Sequence, residues 1–168
     1  MLSERTSNLP EKTRELKPPR GLSRLFFRFP IALYRAGFGW LFGDRLLLLN
    51  HIGRKSGKQR QVVLEVAYHD KTTNTFIVNV GFGKSSDWYL NIKKNPDISI
   101  MVGRNTINVH AEDLPSKEGG DIMVDFLRKH PLEAKISSLI GYRVKSNEED
   151  FRALGEELSF VKLTPRLT

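Results

Sequence analysis

The chain has 168 residues, with 27 Lys+Arg against 19 Asp+Glu, four His and no Cys, giving a formal net charge of +8. This length predicts one domain of ordinary soluble composition, burying about 70% of its unfolded surface. The absence of cysteine excludes disulfides, thiolate metal sites and a cysteine nucleophile.

The charge is one-sided. Residues 1–60 hold 13 basic and four acidic side chains, whereas residues 61–168 hold 14 basic and 15 acidic. An excess confined to the first third predicts an anionic partner: a phosphate-bearing ligand, a membrane surface or nucleic acid. Residues 1–20 are polar and carry Pro10, Pro18 and Pro19, so they read as a flexible basic arm ahead of a single domain over 21–168. No secretory signal is visible. The most apolar stretch, Ile31 to Phe42, is broken by Arg35, Gly37 and Gly39 and falls short of the ~20 residues a membrane span needs. A cytoplasmic chain is expected.

Leu22, Leu25, Phe26 and Phe29 fall on one face of a helix, with Arg20, Arg24 and Arg28 on the other. Pro30 should kink or restart this helix, which continues through Ile31 to Arg35. Two readings fit: a helix packed on the domain, or one that also touches lipid or covers an apolar ligand. Leu46 to Leu49 reads as a strand buried on both faces. Gly53-Arg54-Lys55-Ser56-Gly57-Lys58-Gln59 is a basic turn bounded by glycines.

Gln61 to His69 alternates, with Val62, Leu64, Val66 and Tyr68 on one face of a strand and Val63, Glu65, Ala67 and His69 on the other. Asp70 to Asn74 is a polar turn before a strand over Thr75 to Val80. Ser86 or Asp87 caps a short helix through Trp88, Tyr89, Leu90 and Ile92, which Pro96 ends. Ile98–Val102 and Thr106–Ala111 form a hairpin around Gly103-Arg104-Asn105. Helices are expected after Pro115, with Ile122, Met123, Phe126 and Leu127 on one face, and over Leu132–Ile140. Ser146 and Glu149 suggest a capping box for a helix reaching Leu158. Ser159 to Leu163 is a candidate last strand. Hairpin-length connections between strands favour an antiparallel sheet or small barrel over a doubly wound parallel sheet.

Standard nucleotide motifs fail on spacing. Gly53 to Gly57-Lys58 is one residue short of a P-loop and is followed by Gln59; Gly83-Lys84-Ser85 has Val78 where the first glycine belongs. Gly37-x-Gly39 followed by Gly43 misses the dinucleotide fingerprint. His51, His69, His110 and His130 are scattered, so no metal site is expected. No Gly-x-Ser-x-Gly elbow is present. What remains is Arg54, Lys55, Ser56, Lys58 and Arg60 in one turn. There a close backbone, a hydroxyl and cationic forks can share phosphate oxygens, and the competing reading is a solvated basic hairpin tip.

Gly53-Arg54-Lys55-Ser56-Gly57-x-x-Arg60 after the Leu46–Leu49 run, with Trp88-Tyr89-Leu90-Asn91-Ile92-Lys93-x-Asn95-Pro96 about 30 residues later, resembles the two signatures of the deazaflavin-dependent nitroreductase family. The resemblance runs from Leu22 to Ala111. It implies an α+β fold, an antiparallel split β-barrel of the FMN-binding type with flanking helices. It implies the 8-hydroxy-5-deazaflavin coenzyme F-420, whose side chain bears a phosphate and a polyglutamate tail, with FMN as the alternative cofactor. By motif match, Arg54, Lys55, Ser56 and Arg60 hold the tail. Val62, Val63 and Leu64 run beside the cofactor, and Asn79, Val80 and Gly81 lie near its ring. Asp87, Trp88, Tyr89 and Asn91 form a helix start near the phosphate. Trp88 and Tyr89 also fit a purely core role. Asn50 and His51 stand where members of the family often have threonines.

The implied activity is hydride transfer between the deazaflavin and a small apolar, electron-poor acceptor: a quinone, an enone or a nitro compound. The cofactor carries the chemistry, and no nucleophile or metal is required. A proton must also reach the product, from Tyr142 or from solvent. The competing reading is a non-catalytic binding module for flavin, fatty acid, anionic lipid or nucleic acid. There Phe26, Phe27, Phe29 and Trp40 would meet bases or lipid. Nucleic acid is disfavoured because the strand residues are mostly aliphatic. Peripheral contact with an anionic membrane at the inner face, and a homo-oligomer, stay open.

Overall fold

A computed structural model describes residues 11–12, 22–131, 142–143 and 147–166. In chain order these form β1 (Glu11–Lys12), α1 (Leu22–Arg35), a 3-10 turn (Gly39–Phe42), β2 (Leu46–Ile52), β3 (Gln59–Asp70), β4 (Thr75–Asn79), α2 (Asp87–Lys94), β5 (Asp97–Val102) and β6 (Asn105–Asp113). They continue with α3 (Ser116–Lys129), β7 (Tyr142–Arg143), α4 (Glu148–Glu157) and β8 (Phe160–Pro165). Six strands close an antiparallel barrel in the order β2-β3-β4-β8-β6-β5, the expected α+β split barrel with helices on its flanks. β1 and β7 form a separate two-stranded ladder, which sequence reading does not anticipate. The side chains of Leu22, Leu25 and Phe26, the Leu132–Ile140 helix and the Tyr142 side chain lie outside the described residues.

The barrel closes because its strands alternate. Leu47 and Leu49 of β2, Phe76 and Val78 of β4, Ile98 and Ile100 of β5, Val109 and Ala111 of β6, and Val161 and Leu163 of β8 share one buried core. Trp88, Tyr89 and Ile92 of α2 join that core. Outside the barrel, α1 lays Ile31 and Tyr34 on Leu48, with Val63 and Met101 at the margin. The Tyr34 hydroxyl donates to the Leu46 carbonyl at 2.7 Å. On another face, Met123 and Leu127 of α3 and Leu154 of α4 cover Ile77 and Phe160. These two helices touch closely enough that a Cβ on Gly155 would collide with the Gly119 carbonyl oxygen.

Several expectations are corrected. Phe29 is 61% exposed. The buried face of α1 runs through Ile31 and Tyr34, one helical turn apart, and Phe29 points away from it. Pro30 lies inside one helix, so the helix does not restart there. A register shift between Val66 and Tyr68 breaks the alternation of β3, so Tyr68 leaves the barrel side and packs with Ala67 against the α3–α4 cluster. Ser86 precedes α2, but its hydroxyl donates to the Gly83 carbonyl at 2.7 Å and makes no cap. The cap of α4 is Asn147, whose Oδ1 accepts from the Asp150 amide at 2.8 Å; Ser146 lies outside the described residues.

Candidate functional site

The basic turn is built at the end of the β2–β3 ladder, where Ile52 pairs with Gln59. The Gly53 amide donates to the Lys58 carbonyl, and the Gly57 amide to the Gly53 carbonyl, each at 2.8 Å. Gly57 has φ +66°, a left-handed backbone that side chains disfavour.

Arg54 fastens this turn to α2. Its amide donates to Asn91 Oδ1 at 2.9 Å, and its carbonyl accepts from Lys94 Nζ at 3.2 Å. Its Nη1 lies 2.9 Å from Asp87 Oδ1 and 3.1 Å from Asn91 Oδ1. Lys55, Ser56, Lys58 and Arg60 stay exposed. The three cations among them form no ion pair with any described residue, although the acidic Asp87 is close by. The sequence motif therefore separates into one anchored arginine and three cations facing solvent.

Behind the turn, Asn91 Nδ2 donates to Nδ1 of the buried His51 at 3.0 Å. Burial first, and the Arg60 cation second, lower the His51 pKa to about 4, against the opposing effect of Asp87. His51 follows Leu47 and Leu49 on the inner face of β2. On the outer face, Arg35 Nε donates to Gln61 Oε1 at 2.7 Å, Gln61 Nε2 to Asn50 Oδ1 at 2.8 Å, and Asn50 Nδ2 to Ser99 Oγ at 3.1 Å. Asn50 and His51 thus serve separate polar chains on the two sides of one strand.

The other predicted residues lie further along β3. Val62 and Leu64 pack toward the barrel core, and Val63 packs beneath α1. Gln59–Glu65 pair with β2, while pairing with β4 begins at Val66. No strand among the described residues pairs with the second edge of the first half of β3. In an antiparallel strand, alternate residues direct N–H and C=O groups to each edge, so the groups on this edge belong to no ladder among the described residues. From Arg60 to Val66 the strand covers roughly 20 Å at ~3.4 Å per residue. Val66 faces Val78, the residue before Asn79. Asn79 Oδ1 is buried without a hydrogen-bond partner among the described residues, and the nearby Gly81 is exposed. The predicted residues are therefore two stations joined by an open strand edge.

Trp88 and Tyr89 are placed in the barrel core, ring edge to ring face with centroids 6.1 Å apart. The Tyr89 hydroxyl donates to Asp113 Oδ1 at 2.9 Å. Burial and that bond push the phenol up to about 12. Burial alone would raise Asp113, but hydrogen bonds from Lys93 and Tyr89 outweigh it and hold the carboxyl below its usual range. At the turn, α2 presents Asp87, Asn91 and Lys94. Sequence reading missed Lys94 and His51. For Lys94 a signal existed, since it follows Asn91 by three residues on one helix face.

Residues 32–133 match the family model described as F420H(2)-dependent quinone reductase. The chain belongs to the F420H(2)-dependent quinone reductase family. A Mycobacterium tuberculosis (strain ATCC 25618 / H37Rv) protein that carries the name of such a reductase is 34% identical over 86 residues, half of this chain and 71% of that protein. Among solved structures, a conserved hypothetical protein from M. tuberculosis superposes with TM-score 0.53 at 12% identity, over 80% of each chain. A structure described as a domain-swapped dimer superposes with TM-score 0.51 at 17% identity, over 85% of this chain and 99% of that one. These structural likenesses carry the barrel fold. As a member of the F420H(2)-dependent quinone reductase family, the chain is a deazaflavin-dependent oxidoreductase, and its cofactor is coenzyme F420.

Proposed function

We propose that this member of the family reduces a quinone, with the anionic tail of its cofactor on the Gly53–Gly57 turn and the ring toward Asn79. The observation that carries the reading is the set of three exposed cations, Lys55, Lys58 and Arg60, without an ion partner among the described residues, at the head of the β3 edge. A phosphate and several carboxylates match that donor set, with Ser56 and Arg54 completing the turn. The strand edge around Val62, Val63 and Leu64, unpaired with any other strand among the described residues, suits the polar edge of an elongated ligand. Asn79, whose buried Oδ1 has no partner among the described residues, lies beside the exposed Gly81, where a small local movement would offer that oxygen to a ring N–H.

When bound and reduced, the deazaflavin supplies a hydride equivalent. The chain's own work is to bind and orient. Arg54, held by Asp87 and Asn91, sets the turn. Trp88 and Tyr89 fix α2 against the barrel and support the site from within.

Quinone is favoured over enones and nitro compounds because both the family description and the M. tuberculosis relative name that acceptor. The test has two arms. Lys55→Ala/Lys58→Ala should weaken the full-length cofactor about 10-fold, less at high salt, and leave the cofactor truncated before its phosphate unaffected. Equal affinity of the variant and wild type for the full-length cofactor sinks the tail assignment. Steady-state reduction of a naphthoquinone, a cyclic enone and a nitroarene should rank the quinone first in kcat/KM; any other order overturns the acceptor.

A second reading rests on a separate observation. Phe38, Trp40 and Leu41, between α1 and β2, are about half exposed, and the Arg104 guanidinium sits over the Trp40 ring at 5.8 Å. An aromatic turn with a cation beside it suits peripheral contact with an anionic bilayer. No helix among the described residues is long and apolar enough to cross a membrane. Because Trp88 is buried, a blue shift of emission on adding phosphatidylglycerol vesicles reports on Trp40. Unchanged emission and no co-sedimentation reject this contact.

A further inference from the structure

Three partners fix the chemistry behind the turn. Asn91 Oδ1 faces two donors, the Arg54 amide at 2.9 Å and the Arg54 guanidinium at 3.1 Å. The orientation of the Asn91 amide is thereby set, and its Nδ2 must point to His51, 3.0 Å away. Nδ2 is a donor, so His51 Nδ1 accepts and the imidazole carries its proton on Nε2. Hydrogen bonding thus runs from Arg54 through Asn91 to His51, across 37 and 40 residues of sequence.

We propose that His51 is a positioning residue for the cofactor-tail site: its neutral imidazole holds the Asn91 amide, which holds Arg54 and the cationic turn. This rests on the reading of the turn as the tail site. His51 itself is buried and touches Asn91, so it acts through that side chain. The charged groups around it are the Arg60 cation and the Asp87 carboxylate, with Arg54 beyond Asn91. Burial and Arg60 keep the ring uncharged at neutral pH, as the accepting role of Nδ1 requires. A protonated ring would set two donors against each other, and the amide would have to turn away from Arg54. With a merely space-filling His51 the Asn91 amide would be held from the Arg54 side alone, and the site would not depend on which atom the side chain at position 51 offers.

The experiment compares His51→Leu, which fills space without an acceptor, with His51→Gln, whose Oε1 restores one. His51→Leu should weaken the full-length deazaflavin cofactor about 3- to 10-fold, the size of one lost net hydrogen bond. Affinity for the cofactor truncated before its phosphate, and kcat at saturation, should not change. His51→Gln should return affinity to within about twofold of wild type, again within the range of one hydrogen bond. Equal losses for both cofactors, or no recovery with Gln, overturn the proposal. Lys55→Ala/Lys58→Ala run alongside separates two failures. If it weakens the full-length cofactor and His51→Leu does not, the tail site stands and the role of His51 falls; if neither matters, the tail site falls first. Should His51→Leu fail to fold, nitrogen NMR of the wild-type chain decides. An unprotonated Nδ1 and a protonated Nε2 at pH 7 support the proposal, and the opposite tautomer overturns it.

Discussion

Acid should destabilise the wild-type chain more than His51→Gln. An unfolded chain returns the imidazole to its ordinary pKa near 6.5, whereas the folded protein holds it at about 4. Between those values the unfolded state binds a proton that the native state refuses, so stability falls as pH falls. The contribution is complete above pH 6.5 and is lost as pH drops toward 4. At about 1.4 kcal/mol per pKa unit, the full difference is about 3 kcal/mol, most of it lost by pH 4.5. Glutamine does not titrate. Asp70, Asp97 and Asp113, all held below their usual pKa, lose their own stabilisation in acid equally in both proteins and cancel in the comparison. Urea unfolding at pH 7.5 and pH 4.5 measures the difference. Wild type should lose about 2–3 kcal/mol more than the variant, a midpoint change of roughly 1 M or more at ordinary urea slopes. Equal losses would mean that His51 titrates alike in the folded and unfolded states and that its burial costs the charged ring nothing.

Other substitutions test the rest of the fold. Gly155→Ala sets a Cβ against the Gly119 carbonyl oxygen and 2.6 Å from Met123 Cβ. Thermal melting should show a loss of about 1–3 kcal/mol, with separation of α3 from α4 as its cause; an unchanged Tm contradicts that contact. Tyr89→Phe removes the bond to Asp113, costs about 1 kcal/mol and leaves cofactor affinity unchanged; loss of affinity would give Tyr89 a direct place in the site. Asn147→Ala removes the α4 cap and should cost about 1 kcal/mol in the same melt, with no effect on turnover.

Local chemistry explains which parts were legible in the sequence. Glycines and charge in one seven-residue stretch are enough to define the Gly53–Gly57 turn, short apolar runs define β2 and β4, and alternating aliphatics define β6. The face reversal at Ala67 was not legible, because a bulge in β3 leaves the composition of the strand unchanged. Phe29 follows the apolar spacing of α1, yet Ile31 and Tyr34 meet the barrel, since helix rotation is set by what lies beneath it. Ser146-x-x-Glu149 has capping-box spacing, and Asn147 one residue later takes the role through its own amide geometry. The inner side of the site was hidden for a different reason. His51, Asn91 and Arg54 meet where the end of β2 and its turn touch α2, and a pairing about 40 residues apart leaves no periodic trace. Asn79, by contrast, was singled out by family likeness, and its unpartnered oxygen is a physical reason to keep it in the site.

The central claim is that the cationic turn and open β3 edge serve a long-tailed deazaflavin in quinone reduction. The most direct measurement is an optical titration of the purified chain with coenzyme F420 and with FMN, followed by oxidation of the reduced cofactor with a naphthoquinone. The expected result is saturable, salt-sensitive binding of the deazaflavin at micromolar concentration or tighter, negligible binding of FMN, and quinone-dependent oxidation of the reduced form. Tight binding of FMN with none of the deazaflavin would contradict it.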